Sequence, residues 1–278
     1  MWCLRIVCIM ATIFMCRSKK MVDKIRPTFQ KIMPKGENQK TYVDYLGNQD
    51  IHVIVGLGPA GCGKTLFACH AAVYSLIHGN SDRIVITRPL VTADEELGFL
   101  PGSMSQKMDP WVRPIFDIFG EFYSTTQIKD MMKTGVIEIS PLAYMRGRTF
   151  KRSFIIADEM QNSTPNQMLM MLTRVGEGSK LAVTGDLMQS DLKNGGMNGL
   201  EDFIKKYRNY GSPEDGPIRY IEMRSEDVQR SEVVSKILDI YKQPVNTNTN
   251  TQDKKKEMPV NDDAALIPKK HISQLFEL

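Results

Sequence analysis

The chain alternates between short apolar, β-branched runs and longer segments in which apolar residues recur every three or four positions. The first pattern predicts buried strands, and the second predicts amphipathic helices. We predict strands at 51–56, 83–87, 136–139, 153–157, 180–184 and 219–222, and helices at 64–78, within 105–133, and at 165–174, 197–207 and 228–241. Alternating strands and helices indicate an α/β fold, with a mainly parallel sheet covered by helices on both faces.

A glycine-rich loop, GLGPAGCGKT, lies between the first predicted strand and the first predicted helix. It fits the pattern G-x-x-x-x-G-K-[ST], in which backbone N–H groups cradle phosphates, the lysine reaches them and the hydroxyl contacts Mg²⁺. Phosphate would also lie at a helix N-terminus, where the dipole favours negative charge. The sequence therefore predicts an ATP site made of Gly58, Pro59, Ala60, Gly61, Cys62, Gly63, Lys64 and Thr65.

Two adjacent acids, Asp158 and Glu159, end the apolar run SFIIADE. We expect Asp158 to hold Mg²⁺ together with Thr65, and Glu159 to orient and deprotonate an attacking water. The simpler interpretation is a strand followed by two exposed acids. The combination of strand, acid pair and upstream phosphate loop favours hydrolysis, with Lys64 and Glu159 as catalytic residues.

Two further positions are candidate sensors of the γ-phosphate. Gln189 follows the run KLAVTGD in a pattern similar to the sensing motif of superfamily-one helicases; the alternative is a turn in which Asp186 caps the next element. Arg230 lies at the start of the last predicted helix, where it is either an arginine finger or a surface charge.

Three arginines near predicted strand ends are candidates for phosphate contacts. Arg88 follows the strand RIVIT, and Arg146 and Arg148 flank a glycine in YMRGRTF. Open α/β sheets bind ligands at the carboxyl ends of their strands, so these positions suit phosphates of ATP or of a nucleic-acid backbone. The alternative for each is a solvated surface charge.

Charge and cysteine content narrow the function classes. Lys and Arg number 36 and Asp and Glu 32, a formal net charge of +4, so a nucleic-acid site would have to be local. The 5 cysteines form no C-x-x-C pair, which indicates neither a metal site nor a disulfide framework. A reducing compartment is the simplest interpretation, and we expect a cytoplasmic protein, in the host cell if the protein is viral.

Residues 2–16 are apolar apart from Arg5 and are followed by RSKK. This run fits a signal-like segment, a membrane anchor, or an extension upstream of a true start at Met21. We expect the last, and no membrane partner, with anchoring as the alternative.

Residues 243–278 begin with a polar, repetitive stretch typical of a solvated tail. The tail ends in a short apolar set, Ile272, Leu275, Phe276 and Leu278. This peptide either folds back on the domain or docks on a protein partner.

The strings GPAGCGKT, TRP, LGFLPG, MRGRTF, IIADEMQN, LTRVGEGSK, TGD and DVQRSEVVSKILDIY occur in this order. Together they resemble the PhoH family of P-loop ATPases from about Thr41 to Tyr241. We therefore predict a PhoH-like ATPase domain at 41–242, between an extension at 1–40 and the tail at 243–278. The resemblance implies a core like that of superfamily-one helicases, and a link to phosphate starvation and RNA metabolism.

The resemblance also implies roles for single residues. It assigns the loop to the triphosphate, Asp158 and Glu159 to metal and water, Gln189 to the γ-phosphate and Gln39 to the adenine base. We expect an ATPase that acts with single-stranded RNA or DNA in a homo-oligomer, such as a ring, in a short form without a nuclease domain. The alternative is a nucleotide-dependent switch or scaffold with little turnover. Cys62 replaces the usual threonine of the loop and adds a thiol that a nearby cation would activate.

Overall fold

The computed structural model describes residues 32–89, 104–190, 198–211 and 216–228, and five positions between 233 and 240. The chain divides into two compact units, Met1–Ser231 and Glu232–Leu278. In the second unit the five described positions are helical and their side chains are exposed. The fold described below belongs to the first unit.

Strands and helices alternate along most of the first unit. The strands are β1 (Val53–Leu57), β2 (Arg83–Thr87), β3 (Ile137–Ile139), β4 (Ser153–Ala157), β5 (Lys180–Gly185) and β6 (Ile218–Glu222). The α-helices are α1 (Glu37–Gly47), α2 (Lys64–Ile77), α3 (Met104–Gly120), α4 (Thr125–Lys133), α5 (Pro165–Leu172) and α6 (Gly199–Asn209). Short 3-10 turns occupy Leu142–Met145, Met160–Asn162 and Ser225–Asp227.

The six strands form one parallel sheet in the order β3-β2-β4-β5-β1-β6. Strand β5 lies between the strand that precedes the glycine-rich loop and the strand that carries the acid pair. Its register pairs Thr184 with Gly56 and Gly185 with Leu57. Because all strands run the same way, the glycine-rich loop, the acid pair and the Gly-Asp turn leave the sheet at one edge.

Each face of the sheet is covered by its own hydrophobic core. One core joins Ile54, Ile84 and Phe154 to apolar residues of α1, α2, α3 and α4. The other joins Val55 and Ile155, on the opposite face, to residues of α5 and α6. Helices on both faces explain why β1, β2, β4 and β5 are almost continuously apolar rather than alternating. The predicted α/β P-loop NTPase class is confirmed.

Most element boundaries fall within two residues of their predicted positions. The main omission is α1, whose buried positions are Gln39, Tyr42 and Leu46. A buried glutamine interrupts its apolar stripe, and this weakens the helical pattern in the sequence. Within the described residues no helix combines the length and apolar character that crossing a membrane requires; the run 2–16 lies outside them.

Candidate functional site

The glycine-rich loop has a backbone that only glycine adopts without strain at three positions. Gly58, Gly61 and Gly63 have φ values of 143°, 86° and 89°. A Cβ on Gly58 would lie 2.6 Å from the carbonyl oxygen of Met223, and one on Gly63 would lie 2.7 Å from the ring of Phe67. Both glycines therefore permit positive φ and close approach, which a side chain at either position would prevent.

Lys64 opens α2 and turns back over the loop. Its Nζ donates hydrogen bonds to the carbonyl oxygens of Gly58 at 2.6 Å and Pro59 at 2.9 Å. Both partners are neutral, so the ammonium charge at the N-terminus of α2 is not balanced by them. A buried cation beside backbone donors at a helix N-terminus suits phosphate oxygens.

The thiol of Cys62 is buried in the same loop, and Lys64 Nζ lies 3.6 Å from Sγ. Burial raises the pKa of this thiol, although Lys64 acts in the opposite direction. The expectation of an activated cysteine is therefore wrong, because desolvation of the thiolate outweighs the nearby cation.

The hydroxyl of Thr65 and the carboxylate of Asp158 meet across the sheet edge. Thr65 Oγ1 donates to Asp158 Oδ1 at 2.7 Å, and Thr184 Oγ1 donates to the same oxygen at 2.5 Å. Asp158 and Thr184 are both buried. The predicted pair of metal ligands is therefore brought together, and Thr184, which sequence analysis missed, fixes the carboxylate from the intervening strand β5.

Glu159 follows Asp158 in the left-handed region, with φ 54°. Its Oε2 accepts a hydrogen bond from Gln161 Nε2. The Gln161 amide also donates to the carbonyl oxygen of Gln189 at 3.3 Å and accepts from the N–H of Asp186 at 3.1 Å. Gln161 is buried, and the sequence analysis missed it. The signal that could have identified it is the polar Gln-Asn pair that follows the two acids.

Gln189 and Gln39 have different surroundings. The Gln189 side chain is exposed, and its backbone is tied to the acid pair through Gln161. Gln39 is buried, and its Nε2 donates to the Cys62 carbonyl oxygen at 3.1 Å. Arg230 lies outside the described residues.

The predicted phosphate-binding arginines have different surroundings. Arg148 forms an ion pair with Glu138 in β3 and its guanidinium lies 4.5 Å from the centroid of the Phe150 ring. The hydrogen bond with Glu138 raises the pKa of Arg148. Arg88 is half-buried, whereas Arg146 is exposed. Arg146 follows the turn after β3, where Tyr144 is 60% exposed.

The sequence matches the PhoH-like protein family over residues 31–242. It is 46% identical over 210 residues to a PhoH-like protein of Mycobacterium tuberculosis, covering 76% of this chain and 58% of the relative. It is 41% identical over 217 residues to a PhoH-like protein of Synechocystis, with 78% and 64% covered, and 38% identical over 212 residues to protein PhoH of Escherichia coli, with 76% and 58% covered. The chain thus spans about six tenths of these relatives' length.

Among solved structures, Pif1 helicase from Candida albicans aligns with a TM-score of 0.37 at 14% identity, over 76% of this chain and 43% of that one. Bacteroides Pif1 bound to ssDNA aligns with a TM-score of 0.32 at 12% identity, over 75% and 46%. Both TM-scores are below 0.5, so the fold assignment rests on the strand order and the glycine-rich loop of this chain itself.

Proposed function

Because this chain belongs to the PhoH-like protein family, we propose that it is an ATPase that binds Mg²⁺-ATP on the loop 58–65 and hydrolyses the γ-phosphate. The observation that carries this proposal is the meeting of Thr65 and Asp158 at 2.7 Å beside Lys64 and Glu159. A hydroxyl and a carboxylate at this point, next to a cation on a helix N-terminus, are the groups that Mg²⁺-triphosphate requires.

The residues present at the site fit both the triphosphate of ATP and Mg²⁺. The loop holds three glycines at positive φ, so no side chain at these positions comes between the loop backbone and phosphate oxygens. Thr65 and Asp158 would hold Mg²⁺, which when bound supplies positive charge to the phosphate oxygens. Lys64 exchanges its two neutral carbonyl partners for phosphate oxygens, a charge-assisted contact stronger than those it leaves.

Glu159 is the group that accepts the proton of the attacking water in this proposal. Its carboxylate is held by Gln161, which is fixed in turn by Asp186 and the Gln189 carbonyl. This arrangement ties the base to the turn after β5. A change in that turn on nucleotide binding would therefore reach Glu159 through one amide.

We further propose that the partner is single-stranded RNA or DNA. Tyr144 and Arg146 support this, because an exposed ring can stack on a base and an exposed guanidinium can contact phosphate. Arg148 is unsuited to that role since it is committed to Glu138. We also propose a homo-oligomer, in which a neighbouring subunit completes the site.

The test is phosphate release from ATP with and without single-stranded RNA or DNA. We expect Lys64→Ala to abolish release, and Glu159→Gln to lower kcat by about 10²–10⁴ while ATP binding is kept. The matched controls are Lys133→Ala and Glu177→Gln, which change exposed residues away from the site edge. Arg146→Ala should lower the RNA-stimulated rate more than the rate without RNA.

Wild-type protein that binds ATP but releases no phosphate with any nucleic acid would refute the ATPase. It would leave the nucleotide-dependent switch or scaffold as the function. Release that is unaffected by Lys64→Ala would refute the site itself. Light scattering with and without ATP tests the oligomer, which a monomer under both conditions would contradict.

A further inference from the structure

The side chain of Gln39 uses every hydrogen-bonding group of its amide inside the protein. Its Oε1 accepts from the N–H of Lys35 at 2.8 Å and of Gly36 at 3.3 Å. Its Nε2 donates to the carbonyl oxygens of Cys62 at 3.1 Å and Asp227 at 3.0 Å. A glutamine amide has two donors and two acceptor positions, and these four contacts occupy all of them.

These contacts join three segments that are far apart in the sequence. Gln39 belongs to the first turn of α1, Cys62 to the phosphate loop and Asp227 to the 3-10 turn after β6. The residue is 1% exposed, so its amide faces these partners and not solvent. Removal of the Gln39 amide would leave the carbonyl oxygens of Cys62 and Asp227 without these hydrogen bonds, and an unsatisfied buried carbonyl lowers the free energy of unfolding.

A second group of contacts holds the turn after β6 in place. The Asp227 carboxylate accepts from Asn38 Nδ2 at 2.8 Å and from the N–H of Arg224 at 2.8 Å. The chain just before the turn also approaches the loop, because a Cβ on Gly58 would lie 2.6 Å from the Met223 carbonyl oxygen. The phosphate loop therefore packs against the chain after β6 at Gly58, and Gln39 links it to the turn after β6 at Cys62.

We infer that Gln39 is a positioning residue that clamps the phosphate loop to α1 and to the turn after β6, and that it does not read the nucleotide base. A base reader needs a donor and an acceptor that the ligand can reach, whereas the Gln39 residue is 1% exposed and its amide bonds four groups of three separate segments. Gln39 affects the triphosphate only through the loop, so its replacement weakens the binding of ATP and of GTP by the same factor. Only the expected loss of nucleotide affinity rests on the proposed nucleotide function; the positioning of the loop by Gln39 does not.

The first experiment measures thermal melting without nucleotide for wild type, Gln39→Ala and Gln39→Glu. We expect both variants to melt lower by about 5 °C or more, because Gln39→Ala removes two buried and two part-buried hydrogen bonds and Gln39→Glu directs a carboxylate at two carbonyl oxygens. The matched control is Gln49→Ala, an exposed glutamine whose amide donates to the Gly47 carbonyl oxygen at 3.3 Å. Unchanged melting of Gln39→Ala would overturn the clamp, since a free base reader contributes nothing without nucleotide.

The second experiment measures competition of ATP and GTP against a fluorescent nucleotide at a temperature where every variant is folded. We expect Gln39→Ala to weaken both competitors by the same factor, on the order of tenfold. Ile204→Val, a core change on the opposite face of the sheet, lowers stability and should leave both affinities unchanged. A loss confined to ATP would overturn the inference and restore base reading.

The two experiments separate the inference from the proposed function. If the wild type bound neither nucleotide, the proposed function would fail. The melting data would still decide the clamp, and hydrogen exchange would test it independently. We expect amides of residues 58–63 to exchange faster in Gln39→Ala than in Gln49→Ala, and equal exchange would contradict the clamp.

Discussion

Replacing Gln161 with leucine removes an amide but keeps the side-chain size, and it tests how Glu159, the proposed general base, is held. The amide donates to Glu159 and to the Gln189 carbonyl oxygen, and it accepts from the Asp186 N–H at 3.1 Å. Loss of that acceptor leaves a buried N–H unsatisfied, which costs about 1–3 kcal/mol of unfolding free energy. The described contacts of the Gln161 amide are with Glu159 and with the turn after β5, so nucleotide affinity should change little.

The expected effect on the rate follows from the freedom that Glu159 gains. A positioned general base contributes about 10²–10⁴ to a rate, and a base that has lost its anchor keeps part of this. We therefore expect Gln161→Leu to lower kcat for ATP by about 10- to 100-fold with KM within about threefold. Gln161→Glu keeps the acceptor for Asp186 but places like charges together, so it should lose rate with a smaller loss of stability.

Phosphate release under saturating RNA and denaturant unfolding measure the two effects separately. The control is Gln167→Leu, because Gln167 only caps the first turn of α5 and lies outside the site. It should lose a little stability and no rate. If Gln161→Leu kept kcat within about twofold of wild type, the reasoning that Gln161 positions Glu159 would be refuted.

Three further predictions concern the loop, the metal ligands and the opposite edge of the sheet. Gly63→Ala should cost about 2 kcal/mol or more of unfolding free energy, because positive φ adds to a 2.7 Å contact with Phe67; Gly79→Ala, with φ 72° and no atom within 4 Å of its Cβ, isolates the backbone part. Thr184→Val removes a donor to Asp158, so it should raise the Mg²⁺ concentration for half-maximal phosphate release; an unchanged Mg²⁺ titration would contradict that role. Burial lowers the pKa of Lys180 to about 8 from 10.5, so its folded state binds fewer protons than its unfolded state between these values, and Lys180 alone should add up to about 1.4 kcal/mol of unfolding free energy per pH unit over this range. Burial raises the pKa of the Cys62 and Cys69 thiols, which act in the opposite direction over the same range. Urea unfolding from pH 7.5 to 10 should therefore show the unfolding free energy of wild type rising relative to that of Lys180→Met, and an unchanged difference would contradict the prediction.

The order and class of the elements were predictable because their signals are local. Each buried strand of a sheet covered on both faces is a short apolar run, and a phosphate loop needs glycines and a lysine at fixed spacing. Strand β2, for example, has the predicted bounds 83–87. Helix α1 escaped prediction because Gln39 occupies a buried position of its stripe.

The sequence alone determined that a loop with Lys64 and Thr65 follows one strand and that Asp158 and Glu159 end another. Only the tertiary structure decided which of these groups meet. Thr184 reaches Asp158 because the sheet inserts β5 between the two functional strands, and strand order depends on pairing between residues distant in the chain. The same reason applies to Gln39, whose contact with Asp227 joins positions separated by 188 residues. The hydrogen-bond partners of a buried amide depend on how whole helices and strands pack, so the local sequence pattern cannot predict them.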